Sequence, residues 1–293
     1  MSDESLTLCP YNPNNHLVTE EDLVGIFRKC GLDLTPVSVK SYHEAFIHRS
    51  YVRKKVLSYS KRGQGKVTLS PRPPNCLELQ PESNERLEFL GDSVIDCVVV
   101  SYLFRRFPEA DEGFMTKLKT RLVKTTALAN FARFLDLGPF IIISRHVEEK
   151  CEGRTSDRML EDMFESFIGA MYLDFSEMSS EEATRHGFLY GPGYAACETF
   201  LMNMMEAQVD FEDLILNDEN YKDMLLRYFQ QTYSATPKYV EMTTDGPSHQ
   251  KMFTMGVLDT QGNIIGKGVE KTKKKAEQMA SRMTLIRFGV ITE

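Results

Sequence analysis

The stretch Asn84-Glu85-Arg86-Leu87-Glu88-Phe89-Leu90-Gly91-Asp92-Ser93 decides how the rest of the chain is read. On a helix, Glu85, Glu88, Asp92 and Asp96 share a stripe about 80° wide, and Leu87, Leu90, Val94 and Val98 gather on the opposite side. One face is built for burial and the other is a row of like charges. Carboxylates three and four residues apart on a helix repel, so solvent or a divalent cation must offset the cost. Two features favour the cation. No lysine or arginine falls within the stripe, because Arg86 points elsewhere. Gly91 also interrupts the helix interior, where glycine costs about 1 kcal/mol relative to alanine. Close approach of another helix or of a ligand explains a glycine there.

A second acidic stretch lies downstream, Asp162-Met163-Phe164-Glu165-Ser166-Phe167-Ile168-Gly169-Ala170-Met171-Tyr172-Leu173-Asp174. Asp162 and Glu165 open an otherwise apolar helix, which is costly unless they are solvated, at the helix N-terminus or coordinated. Oxygen-only ligands on rigid helices suit Mg²⁺. Glu88, Asp92, Asp162 and Glu165 therefore form a candidate four-carboxylate site.

These residues carry a resemblance. NERLEFLGDSV at 84–94 resembles the signature motif of the ribonuclease III family, and DMFESFIGAMYLD at 162–174 resembles its second acidic motif. The two agree in order and spacing. The likeness extends to His48-Arg49-Ser50, to Glu112-Gly113 with Thr116 and Leu122-Val123, and to the C-terminal region. It implies an all-α nuclease domain of the ribonuclease III endonuclease fold.

Composition is ordinary for a globular protein, with 42% hydrophobic and 26% charged residues. At 293 residues the chain suits two domains. No apolar run is long enough to span a membrane, and residues 1–15 lack the features of a secretory signal. Six cysteines without C-x-x-C spacing argue against zinc and a disulfide framework. The expected location is intracellular, cytoplasmic or nuclear. The net charge of −7 divides unevenly: 11 Lys+Arg face 8 Asp+Glu from residue 219 onward, and 24 face 34 before it. An acidic body repels phosphate, so cations and the basic tail both matter to any nucleic-acid partner.

Along the chain, residues 1–16 read as a flexible N-terminus. Residues 17–208 read as the nuclease domain. Thr19 is the predicted cap of a first helix, which Gly31 stops. Ser41 to Tyr51 is expected to be helical, with His48 a core or capping histidine. Residues 53–83, basic and rich in proline and glycine, read as a long loop insertion. The signature helix is expected from Asn84 to Phe107, a long helical region from Phe114 to Leu135, and a buried connection at Ile141–Ile143. A further irregular insertion covers 176–193, and Ala195–Met205 closes the body. Residues 209–219 read as a partly extended linker.

From 220 to 293 the periodicity changes to α-β-β-β-α, with expected strands at Lys238–Met242, Lys251–Leu258 and Asn263–Val269. With GPSHQKMF, GKG and TKKKAEQMA, this order resembles a small α+β double-stranded RNA-binding domain. Thr272 caps the last helix, and Lys273, Lys274 and Lys275 add charge to its positive end, a natural phosphate site. By resemblance, His249 enters an RNA minor groove.

The function implied is endonucleolytic hydrolysis of double-stranded RNA by metal-ion catalysis. The cofactor is Mg²⁺, with Mn²⁺ as a substitute, and no small-molecule cofactor is needed. Glu88, Asp92, Asp162 and Glu165 are the expected catalytic metal ligands. Glu85 and Glu112 read as supporting or dimer-interface acids. The resemblance further implies a homodimer leaving short duplexes with 5′-phosphates and 3′ overhangs. The rival reading is a protein that sequesters duplex RNA without cutting it. The complete acidic set argues against that rival, because a pure binder has no need of it.

Overall fold

The computed structural model describes residues 7–53, 68–178, 185–186, 191–216, 220–245 and 251–291. The chain divides into two compact units, Met1–Phe211 and Glu212–Glu293.

The first unit is helical: α1 (Glu20–Lys29), α2 (Val39–Ala45), α3 (Glu85–Arg106), α4 (Glu112–Leu122), α5 (Thr125–Leu135), α6 (Arg145–Lys150), α7 (Asp157–Ser176) and α8 (Pro192–Gln208). The short α9 (Phe211–Leu216) begins where the two units divide. Thr19 caps α1 through a reciprocal capping box with Asp22, and Gly31 at φ 72° ends it.

The core is built around α7. Its Phe164, Phe167, Ile168, Ala170, Met171 and Phe175 are fully buried. Phe27, Phe167 and Phe200, from three helices, pack with ring centroids 5.9–6.3 Å apart. Asp174, 3% exposed, accepts hydrogen bonds from the backbone N–H groups of Val37 (2.9 Å) and Ser38 (2.7 Å) and from the Tyr42 hydroxyl (3.2 Å). A buried carboxylate is tolerated there because donors surround it.

The decisive contact is between α3 and α7. A Cβ on Gly91 would lie 1.8 Å from the Glu165 carbonyl oxygen, and one on Gly169 would lie 2.3 Å from that of Leu87. Two glycines let the helix backbones touch.

Several expectations need correction. The lead-in is tied down from residue 7: buried Asn12 and Asn15 both donate to the Ile143 carbonyl, at 3.2 and 2.9 Å. Residues 1–6 lie outside the described residues. The 53–83 insertion is likewise partly structured, because Thr68–Leu69 (β2) pairs in parallel with Thr7–Leu8 (β1). Its residues 54–67 lie outside the described residues, as do 179–184 and 187–190 of the second insertion.

The Ser41–Tyr51 segment is α2 followed by a 3₁₀ turn at Arg49–Tyr51. The helix stops because Ile47 bridges in parallel to Ile142, diverting its backbone into a β-type pair. His48 caps the turn by accepting the Ser50 N–H. The Phe114–Leu135 region is two helices, since extended backbone at Lys124 separates α4 from α5. Part of the expected linker is helical, as α9, and Phe211 is buried beneath the Arg106 guanidinium, 4.4 Å from its ring centroid.

The second unit is α10 (Tyr221–Tyr233), an antiparallel sheet β3 (Lys238–Asp245), β4 (Met252–Leu258) and β5 (Ile264–Glu270), and α11 (Lys273–Arg287). Both helices pack on one core of Leu225, Phe229, Val257, Ile265, Ala280 and Leu285. Gly266 and Gly268 of the GKG motif make this packing close: a Cβ on Gly268 would meet the Ala276 carbonyl at 2.3 Å.

Candidate active site

The glycine crossing sets the site. It brings Glu88, one turn before Asp92 on α3, opposite Asp162 and Glu165 on α7. Glu88, Asp162 and Glu165 each place a carboxylate oxygen within 4.8 Å of the other two. Asp92 is exposed and does not join them within that radius. It stands one turn along α3 and is the largest charge acting on Glu165.

The start of α3 is fixed from behind. Asn84, 2% exposed, donates to the Ser166 hydroxyl at 3.1 Å, and Ser166 donates to the Ala45 carbonyl at 2.9 Å. The Asn84 N–H donates to the Ile47 carbonyl at 2.9 Å.

The electrostatics match a pocket in which burial and mutual repulsion of the carboxyls outweigh the nearby guanidiniums of Arg158 and Arg49. Burial, then Asp92 and Glu161, push the Glu165 carboxyl up to about 8. Burial, then Asp162 and Glu85, push Glu88 up to about 6, against the opposing pull of Arg158 and Arg49. Burial raises Asp162 as well. Three such groups, all hard oxygen donors, fit a divalent cation.

The other acids of the stripe are compensated. The Lys119 ammonium on α4 lies 2.7 Å from Asp96, and the Arg49 guanidinium lies 3.6 Å from Glu85. Glu112 opens α4, where it accepts the Thr116 hydroxyl at 2.9 Å, and it does not join the trio. Sequence reasoning missed Lys119, Arg49, Arg158 and Glu161 as neighbours of the site. Lys119 and Arg49 come from other elements, so helical spacing gives no sign of them. Arg158 and Glu161 were readable as one-turn and adjacent neighbours of Asp162.

In the second unit, the Thr272 hydroxyl accepts the Lys275 N–H at 3.3 Å, capping α11. Lys273 turns back to Glu241 at 2.7 Å, while Lys274 and Lys275 are exposed. His249 lies outside the described residues.

Comparison with known proteins gives the family of both units. Residues 85–176 match the ribonuclease III domain and residues 221–287 the double-stranded RNA binding motif. The chain is 36% identical over 211 residues to a ribonuclease 3 of Chlorobaculum tepidum, covering 72% of this chain and 71% of that protein. The chain belongs to the ribonuclease III family. As a ribonuclease III it is a double-strand-specific endoribonuclease, with a helical nuclease domain followed by an RNA-binding domain. A probable ribonuclease 3 of Acanthamoeba polyphaga mimivirus is 30% identical over 93% of this chain, which spans only 46% of that protein. The solved nuclease domain of ribonuclease III from Campylobacter jejuni is 26% identical, covering 62% of this chain and 95% of that one, with a TM-score of 0.44. Among the described residues, no helix is long and apolar enough to cross a membrane.

Proposed function

We propose that this ribonuclease III hydrolyses duplex RNA with Mg²⁺, which Mn²⁺ can replace, leaving short duplexes with 5′-phosphates and 3′ overhangs. The carboxylate cluster at the α3–α7 crossing carries the reading. Glu88, Asp92, Asp162 and Glu165 are the proposed ligands, Asp92 closing on the cation from its exposed position. Bound divalent cations supply an activated water and stabilise the leaving 3′ oxygen. The protein's part is to hold four oxygens on two helices whose backbones cannot slide, and to keep the carboxyls poised to exchange a proton for a cation.

Cutting both strands calls for two such sites, so we infer a homodimer. Phe89, Val100 and Phe104 support it: they are 79%, 50% and 69% exposed along one side of α3. Large apolar side chains gathered on one helix face mark a surface that another protein covers. Glu85 and Glu112 are then acids at or beside that interface. Thr272, Lys273, Lys274 and Lys275, with His249, hold the RNA backbone and groove. An intracellular, reducing location suits the six free cysteines.

The experiment is incubation of a long end-labelled RNA duplex with the full chain, with Mg²⁺ and with chelator. Cation-dependent cuts staggered across the two strands are expected. Tight binding without cleavage in either condition would move the reading to sequestration.

A further inference from the structure

A cleft of about 210 Å³ opens beside the trio, lined by His48, Arg49, Glu85, Glu88, Arg158 and Asp162 among others. Its walls are unequal in charge. Carboxylates occupy one part, and two guanidiniums, on different elements, face them.

Arg49 has a rigid base and an open head. Its 3₁₀ turn is fixed on both sides: the His48 N–H donates to the Ile142 carbonyl at 3.0 Å, and the Ser144 N–H donates to the Ser50 hydroxyl at 3.0 Å. The buried Tyr51 ring anchors the next position, its hydroxyl donating to the Leu77 carbonyl at 2.8 Å. The side chain is 70% exposed, with Glu85 at 3.6 Å as its one ion-pair partner among the described residues. Five donors on one fork leave most of its hydrogen-bonding capacity unused by that contact.

Arg158 is placed against the helix dipole, in the first turn of α7, where a cation is disfavoured. It sits one turn before Asp162. It lines the cleft together with Glu88 and Asp162. Neither arginine is needed for the core, since both are exposed.

We propose that Arg49 and Arg158 form a guanidinium clamp that binds the non-bridging oxygens of an RNA backbone phosphate beside the carboxylate cluster. The proposal rests on the metal-nuclease reading above and adds the phosphate side of the site. A planar fork matches two phosphate oxygens at once, which a lysine ammonium cannot do. The clamp also answers a problem of charge. A phosphodiester entering a pocket of three carboxylates is repelled, and two guanidiniums at the rim offset that repulsion without displacing the ligands. Glu85 orients Arg49 and is a positioning residue, not a cation ligand.

The test uses the full chain and the variants Arg49→Ala, Arg49→Lys, Arg158→Ala and Glu85→Gln. Two quantities are read: Mn²⁺ affinity without RNA, and single-turnover cleavage of duplexes carrying single phosphorothioates of defined stereochemistry around the scissile bond. The arginine variants should keep or slightly tighten Mn²⁺ binding while cleaving about ten- to a hundredfold more slowly. Arg49→Lys should recover only part of the loss. The stereospecific sulfur effect at one phosphate should shrink in each arginine variant, because the contact it reports has gone. Glu85→Gln should leave Mn²⁺ affinity within about twofold, less than a lost outer-shell partner of a ligand costs. Loss of Mn²⁺ binding in step with cleavage, or an unchanged sulfur effect at every phosphate, would overturn the clamp. Wild-type protein that neither binds Mn²⁺ nor cuts would overturn the metal-nuclease reading instead.

Discussion

Gly91 of α3 and Gly169 of α7 meet backbone to backbone: a Cβ on Gly91 would lie 1.8 Å from the Glu165 carbonyl, and one on Gly169 would lie 3.2 Å from the Gly91 nitrogen. The site depends on this crossing, because it places Glu88 against Asp162 and Glu165. Gly91→Ala should force the helices apart. Overpacking of this kind costs about 1–3 kcal/mol or more, and urea denaturation should show it. Mn²⁺ affinity should fall with stability. A variant as stable as wild type with intact Mn²⁺ binding would show that the helices do not approach this closely.

Asp92→Asn and Glu165→Gln separate binding from chemistry. Each should keep duplex binding through the second unit and lose about a thousandfold in cleavage, the scale of charge stabilisation by a bound metal ion. Gel-shift and cleavage assays on the same duplex check both halves. Asp92→Asn protein that cuts at the wild-type rate would remove Asp92 from the site.

Glu165 and Glu88 are raised in the folded protein, to about 8 and about 6. A raised folded pKa means that the folded state binds protons more tightly than the unfolded one. The stability this contributes is fully present below the ordinary glutamate range and is lost as pH rises through the folded values. In chelator, the melting temperature should therefore drop between about pH 5 and 8. Mg²⁺ should reverse the drop at the alkaline end, where the carboxylates are free to bind it. A flat profile in chelator would mean that the carboxyls are not held together.

Lys273 is drawn to Glu241 at 2.7 Å and lies 5.7 Å from the Phe253 ring centroid. Lys274 and Lys275 carry no ion pair among the described residues. Changing both of these to Ala should flatten the salt dependence of RNA binding by about one to two units of log–log slope. Lys273→Ala should do less. Equal effects at all three positions would show that RNA displaces Glu241 from Lys273.

Phe89→Asp combined with Phe104→Asp should yield a monomer in sedimentation, because charge on this face opposes its burial. Staggered double-strand cuts should then give way to little or no cleavage. A dimer that survives both substitutions would move the interface off this side of α3.

The helices bearing the four acids, the capping of α1 and α11 and the change of periodicity near residue 220 were legible because each is local. Spacing on one helix, one cap or one alternation is written in neighbouring residues. Gly91 and Gly169 showed in the sequence as costly interruptions, although neither named its partner. The buried asparagines Asn12 and Asn15 were read as part of a loose tail, since their bonds reach Ile143, more than a hundred residues away.

The sequence alone determined which acids share a face and that glycine sits beside them. Only the tertiary structure decided that Glu88, Asp162 and Glu165 converge while Asp92 stands just outside. It also decided that Lys119 neutralises Asp96 and that Arg49 and Arg158 flank the cleft. The physical reason is range. Helical periodicity fixes neighbours within a turn or two, as for Arg158 and Asp162, whereas Lys119 and Arg49 come from separate segments that only folding brings beside Asp96 and Glu85.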